Sequence, residues 1–398
     1  MSSPAPDDPL RALRRRPDIE APELVAVDAA DRLLLDEAAP ALADRRARLV
    51  VIGDDHGALT LGALTRHDLT GVRVHQDLRS GELALAANAA ELGVGGFTSH
   101  PGPDAALVEG ATVVLLKLPR SLDALDATAR LVARHADPGV RVLAGGRVKH
   151  MTRTMNDVLA RSFTDVHAGL GRQKARVLTA TGPRPGVEAP AARRVHHDDL
   201  GLWACAVGGA FAGTAVDIGT RVLLDHLDDV LAAVPPSGHV VDLGCGTGLL
   251  AAAAARALPT ARTTATDSSA DAVASARLTA AANGLADRVD VRRADAGDTL
   301  PAACADLVLL NPPFHVGGTV HTAIASKLFR AAARLLAPGG TLVTVWNSHL
   351  AYRRELERVV GPTRQVTRTP KFTLTLSTRR DGARRDPRTA DGEGKITP

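Results

Sequence analysis

Four apolar residues, LVLL at 307–310, run into Asn311, Pro312, Pro313 and Phe314. A buried strand gains nothing structural from this ending, because proline removes backbone donors and fixes the direction of the chain. The gain is chemical. An exocyclic amine on a base is a poor nucleophile, since its lone pair is delocalised into the ring. If the Asn311 side-chain oxygen and the Pro312 carbonyl each accept one N–H, the nitrogen is drawn towards tetrahedral geometry and the lone pair is released. The same two acceptors stabilise the positive charge that develops as a methyl group arrives. Phe314 can stack on the base plane, a contact worth about 1–3 kcal/mol. His315 can reach the base or a phosphate, or cap the next turn. The four motif residues are the candidate catalytic group, and Phe314 and His315 the candidate substrate contacts.

A second set of residues lies upstream in "DLGCGTG": Asp242, Gly244, Cys245, Gly246 and Gly248. Glycine turns of this kind serve several nucleotide cofactors, but the full dinucleotide pattern GxGxxG is absent. An aspartate just before the turn would repel a pyrophosphate, whereas it can accept hydrogen bonds from an amino acid's ammonium. Asp267, nineteen residues after Gly248, suits a bidentate contact with ribose hydroxyls. Asp295 can accept from an adenine amino group. Each acid could instead cap the helix that follows it.

The elements that must position these residues are strands alternating with helices, the pattern of a parallel, doubly wound sheet. That pattern occurs twice. "LVVIGDDHGAL" matches "VVDLGCGTGLL" and "ALAANAAELG" matches "ASARLTAAANG", so that Gly57 faces Gly248 and Gly93 faces Gly284, both pairs 191 apart in sequence. "TVVLLKLPR" stands opposite "DLVLLNPPF", and "KARVLTAT" opposite "KFTLTLST". Four matches in one order mean an internal duplication. The first copy has Asp55 where the second has Gly246, Val51 for Asp242, and Lys117-Leu118-Pro119-Arg120 for the Asn311 motif. It has kept a sheet and lost the site. The expected organisation is a disordered tail over 1–20, a degenerate copy over 21–182, an active copy over 183–380 and a disordered tail over 381–398.

Composition agrees with two packed domains. The chain has 398 residues, 45% of them hydrophobic, and a formal net charge of +4. No apolar run reaches the roughly 18–20 residues of a membrane span, and the start of the chain lacks the apolar core of a secretory signal. Cys205, Cys245 and Cys304 form no CxxC pair, which fits a reducing compartment and points to the cytoplasm. Arginines concentrate at Arg11, Arg14, Arg15 and Arg16 and again at Arg379, Arg380, Arg384 and Arg385. Such runs are solvated tails or phosphate contacts.

"VVDLGCGTG", "NPPFH", "AAARLLAPGGTLVTVWNSHLAYRREL" and "PKFTLTLS" together resemble the two-domain ribosomal RNA guanine-N2 methyltransferases of the RsmC and RlmG types. "AVDAADRLLL", "VVLLKLPRSLDAL" and "AFAGTAVDIGTRVLLDHL" are more similar to the RlmG, large-subunit, branch. The resemblance implies two Rossmann-like class I methyltransferase domains in tandem, α/β throughout, the N-terminal one degenerate and helping to hold RNA. It implies S-adenosylmethionine as cofactor and ribosomal RNA as substrate. It also implies that Phe211, Asp217 and Gly219 border the cofactor.

"VHHDD" at 195–199 and "GDDH" at 53–56 are rich in metal-ligand types, but neighbours on a strand point to opposite faces and rarely converge on one ion. No metal and no membrane is expected as a partner. Lys149, His150, Arg153, Lys174 and Arg176 are either a basic surface for RNA or a solvated face. Two other readings stand beside the RNA enzyme. One is a protein glutamine methyltransferase, whose acceptor is also a planar amide nitrogen; the other is a non-catalytic RNA-binding assembly factor.

Overall fold

The computed structural model describes residues 8–22, 24–313 and 318–380, with backbone alone over 318–321. Phe314, His315 and residues 381–398 therefore lie outside the described residues. The first copy contributes β1 (Leu49–Ile52), β2 (Val72–His75), β3 (Phe97–Ser99), β4 (Val113–Lys117), β5 (Arg141–Arg147), β6 (Phe163–Ala168) and β7 (Ala175–Pro183). Its helices are α1 (Ala29–Leu42), α2 (Ala58–Arg66), α3 (Arg79–Leu92), α4 (Ala105–Val108), α5 (Leu122–His135) and α6 (Thr154–Ala160). A hairpin of β8 (Arg193–His197) and β9 (Leu202–Ala206) follows, and then α7 (Ile218–Leu224) and α8 (Leu227–Leu231). The second copy contributes β10 (His239–Leu243), β11 (Arg262–Asp267), β12 (Val289–Arg293), β13 (Ala305–Leu310), β14 (Leu336–Asn347), β15 (Thr363–Arg368) and β16 (Phe372–Thr378). Its helices are α9 (Leu249–Ala257), α10 (Ala270–Ala282), α11 (Gly318–Leu335) and α12 (Arg353–Val359).

The two sheets have one topology: β3-β2-β1-β4-β5-β7-β6 and β12-β11-β10-β13-β14-β16-β15, seven strands each. In both, the first five strands are parallel, and the sixth, β7 or β16, runs antiparallel to both of its neighbours. Register confirms the duplication residue by residue. Ile52 lies opposite Leu116 as Leu243 lies opposite Leu310, and Ala144 opposite Leu178 as Thr344 lies opposite Thr375. The sequence matches already set Ile52 against Leu243, Leu116 against Leu310 and Leu178 against Thr375. The central strands are buried on both faces, with LVVI at β1 and HVVDL at β10 wholly inside. Such continuous apolar runs belong to parallel sheets covered by helices on both sides.

Residues 8–20 depart from expectation. From Asp8 on they are packed, not a free tail: Leu10 and Leu13 are 2% and 5% exposed in the core of the first copy. Asn88 of α3 donates to the Arg14 carbonyl and accepts from the Arg14 N–H. Arg15 pairs with Asp18 and donates to the carbonyls of Ile19 and Val25. Two buried leucines offset the ordering entropy that a polar reading of this segment leaves uncompensated. Among the described residues, no helix is long and apolar enough to cross a membrane.

Candidate active site

Both parallel sheets end at their carboxyl edge in the place where open α/β sheets hold ligands, and a cleft lies at that edge of the second sheet. The cavity, about 410 Å³, is lined by Gly244, Cys245, Gly246, Asp267, Asp295, Asn311, Pro312 and Pro313 among others. That is within the range of small-ligand sites. Gly244 and Gly246 adopt φ of +78° and +53°, and nothing lies within 4 Å of a Cβ at either. Only glycine holds this turn without strain, and the missing side chains leave the backbone open to a ligand.

Asp267, at the end of β11, accepts from the Gly246 N–H at 2.9 Å and the Ser269 N–H at 2.9 Å. It thus ties the glycine turn to the start of α10 while facing the cleft. Burial pushes its carboxyl above the usual range, against those two donors. Burial also pushes the Cys245 thiol well up, so it stays protonated and acts as a small apolar wall.

Asn311 is the centre of the site. Its Nδ2 donates to Asp217 Oδ2 and to Thr220 Oγ1, each at 3.0 Å. Asp217 accepts only, so the amide nitrogen must face it and the amide oxygen is turned away. That oxygen, Oδ1, is buried and has no hydrogen-bond partner among the described residues. A buried acceptor left unpaired is costly, about 1–3 kcal/mol, and at a cleft it marks where a donor belongs. Pro312 and Pro313 continue the cleft wall.

Three of the expected cofactor residues, Asp242, Gly248 and Gly219, do not line the cleft. Asp242 does not line the cleft: it lies beneath the glycine turn, 1% exposed, and accepts from the Ala251 N–H at 3.0 Å. Burial pushes its carboxyl up to about 7, with the Ala251 N–H opposing and the Asp267 charge reinforcing. Gly248 faces α10 rather than the cleft, where a Cβ would meet Ala276 Cβ at 2.8 Å. Asp217 does border the cleft, but it also caps α7, accepting from the Gly219 N–H. Gly219 lies behind Asn311, where a Cβ would be 2.7 Å from Oδ1. Asp295 lines the cleft with both carboxylate oxygens bonded to Lys327 Nζ, at 2.8 and 2.6 Å. Phe211 is exposed at the rim.

The Asn311–Asp217 bond spans 94 residues, and the signal for it lay in the sequence unread. "AVDIGTRVLLD", from Ala215, repeats "AVDAADRLLLD", from Ala26. Asp217 and Thr220 thus match Asp28 and Asp31, and Gly219 matches Ala30. In the first copy Lys117 takes the place of Asn311 and its ammonium pairs with both Asp28 and Asp31. Burial pulls Lys117 down, but the two carboxylates outweigh it and raise it to about 12. The two copies hold one geometry with different chemistry: an amide on a hydroxyl and an acid, or an ammonium on two acids. An ammonium has donors only, so the second arrangement offers no acceptor at the place of the Asn311 oxygen.

The metal-rich stretches are otherwise engaged. Asp54 caps α2 through the N–H groups of Gly57, Leu59 and Thr60, and His56 pairs with Asp18. His196 pairs with Asp198, and His197 with the Thr214 carbonyl. Among the described residues, no group of three or more His, Cys, Asp or Glu could hold a metal ion.

Comparison with known proteins agrees with this geometry. The model of the RLMG N-terminal domain matches residues 3–184, and that of the methyltransferase small domain matches 201–376. A protein of Pseudomonas paraeruginosa named ribosomal RNA large subunit methyltransferase G is 36% identical over 368 residues, 91% of this chain and 96% of that one. A Shewanella amazonensis protein of the same name is 34% identical over 372 residues, 91% and 94% of the two chains. This chain belongs to the ribosomal RNA large subunit methyltransferase G family. Its fold is shared more widely. The structure of T. thermophilus 16S rRNA N2 G1207 methyltransferase, RsmC, in complex with AdoMet and guanosine covers 89% of this chain and 92% of its own, with TM-score 0.71 and 21% identity. Within the methyltransferase G family, then, this chain carries two copies of one sheet, of which only the second keeps glycines at both open positions and an asparagine with a free oxygen.

Proposed function

We propose that this protein methylates the N2 amine of a guanine in large-subunit ribosomal RNA, with S-adenosylmethionine as methyl donor. The observation that carries the reading is the unpaired, buried Asn311 Oδ1 in the cleft. S-adenosylmethionine, when bound, supplies a methyl group on a positively charged sulfur. Gly244, Cys245, Gly246 and Asp267 are the residues that would hold it, with Phe211, Asp217 and Asp295 alongside. Asp242 and Gly248 support that loop from below.

The chain's own part is orientation. Asp217 and Thr220 fix the Asn311 amide so that Oδ1 accepts one amine N–H, and the Pro312 carbonyl accepts the other. The guanine nitrogen is then presented with its lone pair available, and the charge it gains meets two preorganised dipoles. No strong base is needed, because an alkylated ammonium of this kind loses its proton readily to water. Holding nitrogen, methyl carbon and sulfur in line supplies most of the rest. We assign Phe314 to stacking on the base and His315 to the base or its phosphate. Lys149, His150, Arg153, Lys174 and Arg176, all exposed on the inactive copy, form a basic surface suited to RNA phosphates.

The test is methyl transfer from labelled S-adenosylmethionine to protein-free large-subunit rRNA, to assembled subunits of both sizes and to release-factor protein, with product nucleosides resolved by mass spectrometry. N2-methylguanosine on large-subunit RNA is expected. Asn311→Ala should lose at least about 100-fold in rate, as loss of a charge-stabilising dipole does elsewhere, while still binding S-adenosylhomocysteine. Label on protein glutamine would overturn the RNA reading, and RNA binding without any transfer would make the chain an assembly factor.

A further inference from the structure

The wall of the cleft is not all from the active copy. Leu78, Ser80, Asp18 and Ile19, all of the inactive copy, line it as well. Leu78 is 50% exposed, so a large aliphatic side chain stands open on the wall of the cleft.

Its position is unusual for a second reason. Leu78 is the N-cap of α3 and makes no side-chain cap hydrogen bond. Its duplicate is Ser269, which caps α10 by accepting from the Ala272 N–H. Leucine at an N-cap costs on the order of a tenfold change in helix equilibrium relative to serine. A local rule broken without a local gain is the mark of a functional position. The two positions also meet. Leu78 and Ser269 pair as an antiparallel bridge, the Arg79 N–H donating to the Ser268 carbonyl and the Ala270 N–H to the Asp77 carbonyl.

The place in the cleft follows from these contacts. Leu78 is held beside Ser269, two residues from Asp267. Lys327 donates to the Pro17 carbonyl at 3.3 Å while binding Asp295, so the Asp18–Ile19 segment is held beside that acid. The carboxylates at the ends of β11 and β12 suit the polar edges of a nucleoside. A nucleoside also has flat apolar faces, and two aliphatic side chains suit those.

We propose that Leu78 and Ile19 form the outer wall of the nucleoside end of the cofactor site, so that the cofactor binds across the joint between the copies. This rests on the methyltransferase reading above. The inactive copy then has a part in cofactor affinity that is separate from any contact with RNA.

The test is calorimetric titration of the full-length protein with S-adenosylhomocysteine, together with the melting temperature of the ligand-free protein. Leu78→Ser restores a capping side chain, so the ligand-free melting temperature should hold or rise. Affinity should fall about five- to tenfold, the equivalent of part of a leucine's buried surface. Ile19→Ala should weaken binding about threefold, and Leu170→Ser, 88% exposed and outside the cleft, should leave it unchanged. Wild-type affinity in both Leu78→Ser and Ile19→Ala would overturn the wall and leave the enzyme reading intact. A wild type that binds no S-adenosylhomocysteine would overturn both.

Discussion

At the scale of single residues, the active copy is distinguished by what surrounds one amide. Gly219 carries no charge and donates only its backbone N–H, yet it decides whether Asn311 can stand where it does. Its duplicate, Ala30, is fully buried and lies in sequence between the two acids that pair with Lys117, so the site tolerates a methyl group once the carboxamide is gone. Gly219→Ala should push Oδ1 away from its position, since the added Cβ would be 2.7 Å from it. A displacement approaching 1 Å costs on the order of 100-fold in rate. Turnover should therefore fall about 10- to 100-fold with cofactor affinity kept; a wild-type rate would mean that the amide position is not limiting. Asp242 gives a prediction of another kind. Its folded pKa, about 7, is above the ordinary aspartate value of 3.8, so between those limits the folded protein keeps a proton that the unfolded chain has released. Stability from this group is present at low pH and lost as pH rises through the window, with a slope of about 1.4 kcal/mol per pH unit. Asp242→Asn keeps an acceptor for the Ala251 N–H and removes the titration. The melting temperature of the variant should vary less between pH 4 and 7 than that of the wild type, and the difference should favour the variant by pH 8. Parallel profiles would place the proton elsewhere.

At the scale of elements, the last glycine of the turn belongs to packing in both copies. Gly57 and Gly248 have φ of +93° and +79°, and each would drive a Cβ into the next helix. The obstacles differ. Gly248 faces the Cβ and backbone Cα of Ala276 at 2.8 and 3.0 Å, whereas Gly57 faces the Cδ1 atoms of Leu85 and Leu61 at 2.8 and 3.1 Å. Leucine tips can rotate and a helix backbone cannot. Both alanine variants carry the left-handed strain of about 1–2 kcal/mol, but Gly248→Ala should add an overpacking cost of a further 1–3 kcal/mol. Thermal or urea unfolding should rank Gly248→Ala clearly below Gly57→Ala, and equal losses would mean that α10 shifts freely. This glycine explains why the duplication was legible: it is preserved for a reason common to both sheets, and so are the apolar runs of the central strands. The register of the sheets was readable for the same reason. Contact across sequence is less legible, because strand and turn patterns do not show it and only a repeat between the copies hints at it. The Asn311 motif shows its prolines locally, but the acid that orients its amide comes from the N-cap of α7, in a segment before the sheet begins. Likewise, the polar start of the chain hides two leucines whose burial depends on a core far along the sequence.

At the scale of the molecule, two helix N-termini meet head to head across the joint between the copies. Asp77 Oδ1 of the first copy accepts from the Asp271 N–H and the Ser269 hydroxyl of the second, so an acid of one copy caps a helix of the other. Negative charge is favoured there by both helix dipoles. Arg293, at the end of β12, crosses in the opposite direction. It pairs with Glu82 at 2.7 Å and donates to the carbonyls of Gln76 and Asp77 at 2.6 and 3.1 Å, with its side chain only 12% exposed. Removing one partner of a buried pair typically costs about 3–5 kcal/mol. The cost here should be smaller, on the order of 2–3 kcal/mol, because Arg79 also holds Glu82. That loss falls on the joint and spares both cores, since the hydrophobic clusters of the two sheets are separate. Arg293→Ala should therefore change the form of unfolding as well as its midpoint. Scanning calorimetry of the wild type should give one transition, because copies joined by buried polar contacts unfold together. The variant should give two, the later one near the wild-type midpoint. S-adenosylhomocysteine should bring the two transitions back together if its site spans the joint, since a ligand stabilises the state that binds it. A single transition in the variant, displaced but not divided, would mean that the copies are coupled through the β8–β9 segment and α7 rather than through the helix ends.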